Sequence, residues 1–461
     1  MALTVVILAA GQGSRICSKK SKVLQTLAGK TLIRHVVETV EALKADNIVI
    51  VQGHLARQVQ TELTDKSVEW VDQFDRLGTG HALLQALPKI NKAHKVLVLY
   101  GDVPLVSYDT LHHFIEFTRY EDLGILTAEL DNPSGLGRIL RNRFGEIEGI
   151  IEDKDANDLQ KQIKEINTGI YCLLGQNLHQ WLPEINNQNA QKEYYLTDIV
   201  GFACRDKVNI RSAHPANSFE ILGVNTRQQL AQLERIWQKA VADRVMAEGV
   251  SLADPNRFDV RGNVKIGCDT WIDLNVLIKG EVRIGENCVI GANCILKNCT
   301  LGDYVTVKPN TIIDGATISS HAVVGPFARV RPNTVVGENA RIGNFVEVKK
   351  STIGHDSKVN HLSYIGDSQI GKECNIGAGV ITCNYDGVNK YQTVIDDNAF
   401  IGSDCQLIAP VHIGEGASIG AGSTIAKDVP KHGLTVNRAN QQTTISTWQR
   451  GCKKIKNKKT K

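Results

Sequence analysis

A repeat of six residues organises the second half of the chain. A branched aliphatic residue followed by glycine recurs there, with gaps that are mostly six, twelve or eighteen residues. An amphipathic helix repeats at about 3.6 residues and a strand at about 2, so neither explains this period. The repeat predicts a parallel β-helix, with one flat strand per six residues and three strands per coil. The aliphatic members of the pairs are Ile266, Ile284, Ile290, Leu301, Val324, Val336, Ile342, Ile353, Ile365, Ile370, Ile376, Ile401, Ile413 and Ile419.

The predicted coil is a triangular prism with an apolar interior. The aliphatic residue of each hexad should fill this interior, and the glycine should supply backbone freedom where a Cβ atom would crowd a corner. Residues 382–400, TCNYDGVNKYQTVIDDNAF, interrupt the repeat and are expected to leave the prism as a loop. Cys288 and Cys294 hold the fifth position of their hexads, where small residues pack, and are expected to be fillers.

The first half of the chain alternates short β-branched runs with helical patterns. This alternation indicates an α/β domain whose parallel sheet is covered on both faces. Apolar residues at helical spacing from Leu230 to about Glu248 predict a long amphipathic helix between the two halves. The predicted strands are 4–9, 47–52, 95–100 and 124–130, and the predicted helices are 31–43 and 79–87.

The length of 461 residues is too great for one hydrophobic core. The change from alternating elements to the six-residue repeat therefore marks the domain boundaries. We predict an α/β domain over 1–227, a linker helix over 228–250, a β-helix over 251–437, and a C-terminal segment over 438–461.

Charge and composition exclude several classes of protein. The net charge is +4, but the last eleven residues, GCKKIKNKKTK, contain six lysines, so the rest carries 4 − 6 = −2 and offers no basic face for nucleic acid. The tail is expected to be a solvated end. No apolar run approaches the length of a membrane span, and the start, MALTVVILAAGQG, lacks the charged segment of a signal peptide. Eleven cysteines without a CxxC pair suit reduced thiols, so we expect a cytoplasmic protein.

The first predicted strand ends in a glycine-containing loop, LAAGQGSR (8–15), which Lys22 follows. Glycines directly after a buried strand let the backbone approach a phosphate, and Arg15 and Lys22 supply positive charge beside it. The spacing fits neither the G-x-G-x-x-G pattern nor the P-loop. Taken alone, the loop could therefore be an ordinary connection between a strand and a helix.

A carboxylate is expected close to this loop. The predicted strand 95–100 continues into GDVPL, which places Asp102 at the carboxyl edge of the sheet, where ligands of open α/β sheets bind. A carboxylate beside a phosphate-binding loop is unfavourable unless a cation lies between them. Asp102 is therefore a candidate Mg²⁺ ligand, and the alternative interpretation is an ordinary helix N-cap.

Short motifs along the first half resemble, in order, those of sugar-1-phosphate nucleotidyltransferases. They are LAAGQGSR with Lys22, QFDRLGTGHA (73–82), LYGDVPL (99–105), GLGRI (135–139), IIEDKDA (150–156), EINTGIY (165–171), EYYLTDI (193–199) and GVN (223–225). Combined with a hexapeptide β-helix, they resemble over almost the whole chain one bacterial family. Its members are bifunctional N-acetylglucosamine-1-phosphate uridylyltransferases and glucosamine-1-phosphate acetyltransferases of envelope synthesis. Ser14 and Ser21 depart from the family, in which Thr and Pro are more usual, and neither departure removes a charge or a metal ligand.

The resemblance implies a Rossmann-like nucleotidyltransferase domain, with UTP as co-substrate and Mg²⁺ as cofactor. Asp102 and Asn225 would hold Mg²⁺, and Arg15 and Lys22 would be catalytic residues that steady the triphosphate. Gln73, Gly78 and Thr79 would contact the uracil, and Gly137, Glu152 and Asn167 the sugar. The full implied set is Leu8, Ala9, Ala10, Gly11, Lys22, Gln73, Gly78, Thr79, Tyr100, Gly101, Asp102, Gly137, Glu152, Asn167 and Asn225.

Polar and bulky residues that a structural β-helix does not need cluster around His361. The stretches are PFARVRP (326–332), NFVEVKK (344–350), HLSYIGD (361–367), NIGAGVITCNYDG (375–387) and GSDCQL (402–407). Gly343 and Gly379 lie eighteen residues before and after His361, so no ladder of metal ligands is expected within a subunit. A metal site shared between subunits stays open. His355 is expected to be an exposed turn residue.

The resemblance assigns this second cluster to acetyl transfer. It implies a left-handed β-helix in which His361 is the general base, acetyl-CoA is co-substrate and Glu347 is a weaker candidate for orienting His361. Family members are usually trimers, which implies a homotrimer with an acetyl-CoA site between subunits. The residues implied to bind glucosamine 1-phosphate and acetyl-CoA are Arg331, Lys349, Tyr364, Asn375, Ala378, Asn384, Tyr385, Ser403, Ala421 and Arg438.

Two other functions remain to be weighed. In the first, the chain is a nucleotidyltransferase whose β-helix only oligomerises or binds a regulator, which Arg331, Lys349 and His361 argue against. In the second, it is a non-catalytic regulatory subunit. Such a subunit should have lost Lys22 or Asp102, and both residues are present.

Overall fold

A computed structural model describes residues 2–11, 13–53, 55–438 and 441–445, without the side chains of 438 and 441–445. The predicted lysine-rich tail and the side chain of Arg438 lie outside the described residues. The chain divides into two compact units, Met1–Trp237 and Gln238–Lys461. None of the helices in the described part is long and apolar enough to cross a membrane.

The first unit is an α/β domain, as predicted. Its strands are β1 (Leu3–Leu8), β2 (Thr26–Leu27), β3 (Lys30–Thr31), β4 (Asn47–Gln52), β5 (Glu69–Asp72), β6 (Lys95–Tyr100), β7 (Leu123–Glu129), β8 (Arg138–Arg141), β9 (Ile147–Ile151), β10 (Glu165–Leu174) and β11 (Ile210–Ala213). Its helices are α1 (Leu32–Ala42), α2 (Ala56–Glu62), α3 (Thr79–Ala86), α4 (Tyr108–Phe117), α5 (Asp158–Lys161), α6 (Gly175–Trp181), α7 (Ile199–Arg205) and the first part of α8 (Arg227–Ala247). The predicted strands and helices of this half are confirmed to within one or two residues at their ends.

The main sheet has the order β11-β7-β10-β6-β1-β4-β5. Strands β6, β1, β4 and β5 run parallel to one another, but β10 runs antiparallel to both β6 and β7. The prediction of a wholly parallel sheet is therefore wrong at β10. Only the four-residue helix α5 separates this strand from the antiparallel pair β8–β9, and so short a segment is not the long crossover that a parallel neighbour requires.

Both faces of the sheet are buried, as predicted. Along β1, Val5 and Ile7 pack into one apolar cluster, while Val6 and Leu8 pack into another on the opposite face. The two clusters explain why β1 and β6 are continuous apolar runs rather than alternating ones. Burial of such a side chain contributes about 1.5–3 kcal/mol, so these strands hold the loops at their carboxyl ends in fixed positions.

The predicted long helix is confirmed as α8, and the boundary between the two units falls inside it. Leu233 is 2% exposed and packs in a cluster with Leu27 and Leu32 of the first unit. Five residues past this contact, at the start of the second unit, Gln238 donates to the carbonyl of Val260 at 2.8 Å and accepts from its amide at 2.7 Å. The helix therefore has buried contacts on both sides of the boundary. Whether 228–250 acts as a separate linker stays a prediction.

The second unit contains the predicted parallel β-helix, whose short strands are followed at the end by one strand that pairs antiparallel with its predecessor. They are β12 (Ser251–Leu252), β13 (Phe258–Ile266), β14 (Trp271–Ile272), β15 (Val276–Ile284), β16 (Val289–Ile290), β17 (Ile295–Lys297), β18 (Thr300–Leu301), β19 (Thr306–Val307), β20 (Ile312–Asp314), β21 (Ala316–Ile318), β22 (Val323–Val324), β23 (Arg329–Val330), β24 (Thr334–Val336), β25 (Arg341–Asn344), β26 (Glu347–Lys349), β27 (Thr352–Ile353), β28 (Lys358–His361), β29 (Tyr364–Gly366), β30 (Ser368–Ile370), β31 (Asn375–Ile376), β32 (Ile381–Cys383), β33 (Thr393–Ile395), β34 (Phe400–Ile401), β35 (Gln406–Ile408), β36 (Val411–Ile413), β37 (Ser418–Ile419), β38 (Thr424–Ile425), β39 (Leu434–Arg438) and β40 (Gln441–Ile445).

The register stacks equivalent residues of successive coils. On one face of the prism, each aliphatic residue of a coil pairs with that of the next, and each is at most 2% exposed. This stack confirms that the aliphatic position of the repeat fills the interior. Its members are Ile342, Val359, Ile376, Ile401 and Ile419.

The explanation predicted for the glycines is wrong in part. A Cβ atom on Gly343 would lie 1.9 Å from the carbonyl oxygen of Asn360 in the next coil, and one on Gly354 would lie 2.2 Å from that of Gly371. These glycines are needed because neighbouring coils approach closely. The corner positions with positive φ are mostly held by other residues, such as Asn293 at 60°.

The predicted interruption is shorter than 382–400. Thr382, Thr393 and Ile395 are buried and belong to strands β32 and β33, so only residues 384–392 leave the prism. The sequence pattern missed this because Thr replaces the usual aliphatic residue at buried positions. The prediction that Cys288 and Cys294 are fillers is confirmed, since both are fully buried and burial raises the pKa of the Cys294 thiol to about 11.

Candidate active sites

A cleft of about 450 Å³ opens at the carboxyl ends of β1 and β6. Ten of the residues predicted to bind nucleotide and sugar line it, so the motifs quoted from distant segments converge in space. The lining residues are Leu8, Ala9, Ala10, Gly11, Lys22, Val23, Gln73, Arg76, Gly78, Thr79, Ala82, Tyr100, Asp102 and Glu193.

The glycine-containing loop is shaped by the side chain of Lys22. Gly13 has φ of 62°, and a Cβ atom there would lie 2.6 Å from the Cβ atom of Lys22. Only glycine meets both requirements, so this glycine lets the lysine pack against the loop. Arg15 lies on the turn Ser14–Ile16, is exposed and does not line the cleft. Its predicted contact with the triphosphate stays a prediction.

Lys22 joins the two predicted metal ligands. Its ammonium donates to Asp102 Oδ2 and, at 3.1 Å, to Asn225 Oδ1. The side chains of Lys22 and Asp102 are only 12% and 14% exposed, so the pair is shielded from water. A carboxylate and an amide oxygen, from residues 123 positions apart (225 − 102), thus converge on one cation. Oxygen donors of this kind are those that Mg²⁺ takes, and the lysine ammonium stands where a cation fits.

The residues predicted to bind the sugar form a second group beyond Tyr100. A Cβ atom on Gly137 would lie 3.6 Å from the carboxylate of Glu152. The backbone amide of Asn167 donates to the backbone carbonyl of Gly137 at 2.8 Å. Thr197 donates to Glu152 Oε1 at 3.2 Å. Gly137, Glu152 and Asn167 are therefore neighbours, with a carboxylate available to accept from sugar hydroxyls.

Burial raises the pKa values of the acidic side chains around the sugar-binding residues. Burial raises the pKa of Glu152 above its usual value, although the hydrogen bond from Thr197 opposes the shift. Burial, with the nearby charge of Asp155, raises the pKa of Asp198 to about 6. The pKa of Tyr100 is raised by burial and by the charges of Glu152 and Asp102. Tyr100 lines the cleft and Glu152 lies near it, and such perturbed groups are typical of functional sites.

The residues predicted to contact the uracil are held at the other end of the cleft. Gln73 is buried, and its amide donates to the carbonyl of Gly78 at 3.2 Å. Gly78 has φ of 116°, and a Cβ atom there would lie 2.5 Å from the carbonyl oxygen of Tyr194, so glycine is required. Arg76 also lines this end, and its buried Nε atom has no hydrogen-bond partner among the described residues. The sequence analysis missed Arg76, although it lies inside the quoted motif QFDRLGTGHA.

The residues predicted to follow the path of CoA lie on one corner of the prism. The carbonyl of His361 accepts from Gly379 at 3.2 Å, that of Ala378 from Asp404 at 2.7 Å, and that of Ser403 from Gly422 at 2.9 Å. His361, Ala378, Ser403 and Ala421 thus succeed one another, one per coil. We call this set the corner column; its continuation to Arg438 lies outside the described side chains.

Asn344 lies one coil before His361, next to the first member of the corner column. The two residues pair between β25 and β28, and the ring Nδ1 of His361 lies 2.9 Å from Asn344 Oδ1. Glu347, the predicted orienting residue, instead accepts from Arg331 at 2.8 Å, and no contact of Glu347 with His361 is present in the described part of the chain. Among the described residues no contact supports Glu347 as the orienting residue, and that role stays a prediction. A coil of eighteen residues would place Gly343 beside His361, whereas this coil has seventeen residues (361 − 344) and places Asn344 there.

Two basic residues that were predicted to bind the sugar phosphate form ion pairs with carboxylates on the adjoining face of the prism. Arg331 pairs with Glu347, and Lys349 pairs with Asp367 at 3.2 Å. Asn384 is buried and donates to the same carboxylate. Burial alone would raise the pKa of Asp367, but the hydrogen bonds from Asn384 and Lys349 lower it below its usual value. Asp367 was not predicted as a site residue, although it lies at the end of the quoted stretch HLSYIGD (361–367).

The remaining predicted residues lie around this group. The hydroxyl of Tyr364 lies over Gly366, where a Cβ atom would be 2.5 Å away. Asn375 pairs with Lys358 of the preceding coil. Tyr385 is exposed in the loop 384–392, and its hydroxyl donates to the carbonyl of Gly387. The exposed His355 bonds to Glu338 and Asp356, which fits the predicted turn residue.

Known domain families match both units. Residues 5–166 match the MobA-like NTP transferase domain. Residues 260–338 and 312–385 match the GMPPB C-terminal domain, and residues 392–427 match the bacterial transferase hexapeptide family of six repeats. The two halves are thus similar to nucleotidyltransferases and to hexapeptide transferases, respectively.

Curated relatives match the chain as a whole. It is 61% identical to the bifunctional protein GlmU of Francisella philomiragia, over 98% of this chain and 100% of that protein. It is 63% identical to the bifunctional protein GlmU of Francisella tularensis subsp. holarctica, over 98% and 99%. Among solved structures, a UDP-glucose pyrophosphorylase complexed with UDP-glucose covers 52% of this chain and all of its own, at 18% identity and a TM-score of 0.43. A nucleotidyl transferase from Methanothermobacter covers 52% and 99%, at 20% identity and a TM-score of 0.38.

Proposed function

The chain belongs to the family of bifunctional GlmU proteins, and on that premise we propose that it makes UDP-N-acetylglucosamine in two steps. The β-helix transfers an acetyl group from acetyl-CoA to glucosamine 1-phosphate. The α/β unit then transfers a uridylyl group from UTP to N-acetylglucosamine 1-phosphate and releases pyrophosphate. The product would supply the synthesis of peptidoglycan and lipopolysaccharide. The observation that carries the proposal is that each unit contains its own constellation, around Lys22 in one and His361 in the other.

The uridylyl site is proposed to bind UTP in the cleft of the α/β unit. The loop 8–11 and Lys22 would hold the phosphates, and Gln73, Gly78 and Thr79 the uracil. Asp102 and Asn225 would hold Mg²⁺ in the place that the lysine ammonium takes here. When bound, the ion neutralises the charge that develops on the triphosphate. With the ion present, Lys22 is free to donate to a phosphate oxygen.

Uridylyl transfer needs positioning more than it needs a protein nucleophile. A phosphate oxygen of the sugar phosphate attacks the α-phosphorus of UTP, and the bond from that phosphorus to the bridging oxygen of pyrophosphate breaks. Gly137, Glu152 and Asn167 would hold the sugar so that the attack is in line. The Lys22 ammonium, held at the cleft, would stabilise the negative charge in the transition state, and Arg15 would add to this if it reaches the triphosphate.

Acetyl transfer is proposed at His361. The imidazole takes a proton from the amine of glucosamine 1-phosphate, the nitrogen bonds to the thioester carbon, and the carbon–sulfur bond breaks to release CoA. Arg331, Lys349 and Tyr364 would hold the sugar phosphate, with Asn375, Asn384 and Tyr385 around it. The corner column would carry the CoA chain along successive coils.

A homotrimer formed through the β-helix, with the acetyl-CoA site between subunits, is part of the proposal. Phe327, Phe345 and Leu362 stand on successive coils beside the corner column and are 51%, 56% and 61% exposed. Their φ angles of 54°, 56° and 49° are unfavourable for bulky side chains. An apolar row retained at such a cost supports burial against another copy of this chain. The proposed compartment is the cytoplasm, where UTP and acetyl-CoA are made.

One reaction mixture tests both steps. The protein is incubated with glucosamine 1-phosphate, acetyl-CoA and UTP, with and without Mg²⁺, and the products are identified by mass spectrometry. We expect UDP-N-acetylglucosamine with Mg²⁺, and N-acetylglucosamine 1-phosphate alone without it. If neither product forms there, but a second mixture of N-acetylglucosamine 1-phosphate, UTP and Mg²⁺ gives UDP-N-acetylglucosamine, the β-helix is a scaffold. Absence of product from both mixtures would support a non-catalytic subunit.

A further inference from the structure

The environment of His361 differs from that of the other histidine on the same part of the prism. His355 uses both ring nitrogens: Nδ1 lies 3.0 Å from the carbonyl of Glu338, and Nε2 lies 2.8 Å from Asp356. His361 uses Nδ1 alone, which lies 2.9 Å from Asn344 Oδ1. Its Nε2 has no partner among the described residues. One histidine is held at both ends, and the other presents a free nitrogen.

The position of His361 is fixed by its backbone as well as by its ring. Its carbonyl accepts from the hydroxyl of Ser363 at 2.8 Å and from the amide of Gly379 at 3.2 Å. Asn344 is half-buried and belongs to a strand that pairs with that of His361 in the parallel register. The amide that faces Nδ1 is therefore placed by the β-helix itself.

The chemistry of an amide oxygen decides where the imidazole proton lies. Asn344 Oδ1 can only accept a hydrogen bond, so the neutral ring must carry its proton on Nδ1. The lone pair is then on Nε2, the free nitrogen. If the amide nitrogen faced the ring instead, the proton would lie on Nε2, and the ring could not accept a proton there.

We propose that Asn344 is the positioning residue of the acetyl-transfer site, and that it holds His361 in the Nδ1–H tautomer with Nε2 aimed at the substrate amine. The inference rests on the proposed role of His361 as general base. Asn344 does not touch the substrate in this proposal; it acts only through His361. Glu347, which pairs with Arg331, is left to orient that guanidinium.

The test compares four variants of the full-length protein. Asn344→Ala removes the acceptor, and Asn344→Asp keeps one. His361→Ala and the double variant Asn344→Ala/His361→Ala complete a double-mutant cycle. The matched control is Asn263→Ala, which removes a bond of 2.6 Å between Asn263 and Glu281 in an equivalent exposed pairing between coils, far from His361 in sequence.

Two measurements are made on each variant. The first is the rate of acetyl transfer at saturating substrates and mildly alkaline pH. The second is the ¹⁵N spectrum of histidine-labelled protein in the solid state, in which the resonances lost in His361→Ala identify His361 and report its tautomer. The spectrum does not depend on activity.

The expected pattern is specific. Asn344→Ala should lower kcat about 10- to 100-fold, less than His361→Ala, and should abolish the preference for the Nδ1–H tautomer. Asn344→Asp should keep that tautomer and recover most of the rate. Asn344→Ala should cost nothing further in the His361→Ala background, because the two residues act as a unit. Asn263→Ala should match the parent in both measurements.

Other outcomes separate the inference from the function on which it rests. An Nε2–H tautomer in the parent, or a tautomer unchanged by Asn344→Ala, overturns the role of Asn344 whatever the rates are. A further loss of rate from Asn344→Ala in the His361→Ala background overturns it as well, because Asn344 would then act on something else. If the tautomer behaves as expected but His361→Ala acetylates normally, the proposed base is wrong and the contact between the two residues is only structural.

Discussion

The two sites are assembled in different ways. In the α/β unit, Lys22, Asp102 and Asn225 come from segments far apart in sequence and meet in a shielded cleft. In the β-helix, the corner column gathers one residue per coil, and His361 is exposed at its head. The first arrangement depends on the fold of a whole domain. The second depends on the register between neighbouring strands.

Because the two sites are assembled differently, they should tolerate different structural changes. A one-residue change of register would replace Asn344 by Gly343 or Phe345 opposite His361, and no other part of the prism could compensate. The cleft can absorb small loop movements, but it holds a shielded ion pair whose members depend on each other. Removal of one member leaves the other charge uncompensated. The sites should therefore fail independently.

The largest effect is expected from Asp102→Ala. The substitution removes the only carboxylate that contacts Lys22 in the described chain and one of the two proposed metal ligands. Uridylyl transfer should fall by about 10³-fold or more, because charge stabilisation is the main source of catalysis in this reaction. Acetyl transfer, measured on the same preparation, should stay within a few-fold of the parent. A parallel loss of acetyl transfer would mean that the sites are not separate or that the chain unfolds.

The converse substitution is His361→Ala. Loss of a general base should lower acetyl transfer by about 10²- to 10⁴-fold. Binding of acetyl-CoA, measured by calorimetry, should change little because the CoA path is assigned to other residues of the corner column. Uridylylation of supplied N-acetylglucosamine 1-phosphate should be unaffected. Acetylation within a few-fold of the parent would make His361 an ordinary turn residue.

The sequence predicted the architecture well because each part has a strong local signal. The six-residue period requires a coil, and the apolar runs of β1 and β6 require a buried sheet. The direction of β10 was not predictable in this way, since a strand looks the same in sequence whether its neighbour is parallel or antiparallel. The short loop 384–392 was overestimated because Thr382 and Thr393 fill interior positions usually held by aliphatic residues.

Residues of the candidate sites were predictable only where they belong to a recognisable sequence motif. Asp102 and Lys22 were found because each adjoins a strand end or a glycine-containing loop. That Lys22 bridges Asp102 to Asn225 could not be predicted, because contact between distant segments has no sequence period. The partner of His361 was missed by one position, since coils of seventeen and eighteen residues alternate irregularly and only the structure gives the register.

The independence of the α/β unit can be tested by truncation. A fragment over 1–237 should fold and turn over UTP with N-acetylglucosamine 1-phosphate. A fragment over 1–227 should be less stable by about 2–3 kcal/mol or more, because it loses the buried Leu233 and the 2.7 Å hydrogen bond from the backbone amide of Ala28 to the carboxylate of Glu234. Urea unfolding of both fragments measures the difference. Equal stability would show that α8 contributes nothing to the unit, and an inactive 1–237 fragment would show that the two units depend on each other.

The smallest effect concerns the charge at the sugar end of the cleft. Burial raises the pKa of Glu152 in the folded chain, so its charged form is less favourable there than in the unfolded chain. Above the folded pKa this cost is fully present, and it disappears as the pH falls through the folded pKa toward the unfolded value of 4.5. Glu152→Gln should therefore raise the melting temperature slightly at neutral pH, and the gain should shrink toward zero in acid. The same variant should raise KM for N-acetylglucosamine 1-phosphate about tenfold, since the amide accepts less well from sugar hydroxyls.

Glu148→Gln is the matched control, because Glu148 is an exposed residue of β9, the strand that ends one residue before Glu152. It should change neither the melting temperature nor KM. Thermal unfolding followed by tryptophan fluorescence is suited to the comparison, because Trp181 is buried in the α/β unit. A gain from Glu152→Gln that persists unchanged in acid would mean that the stabilisation comes from packing rather than from the removed charge. A KM equal to that of the parent would mean that Glu152 does not bind the sugar. Recognition of N-acetylglucosamine 1-phosphate would then depend mainly on the positive charge that binds its phosphate.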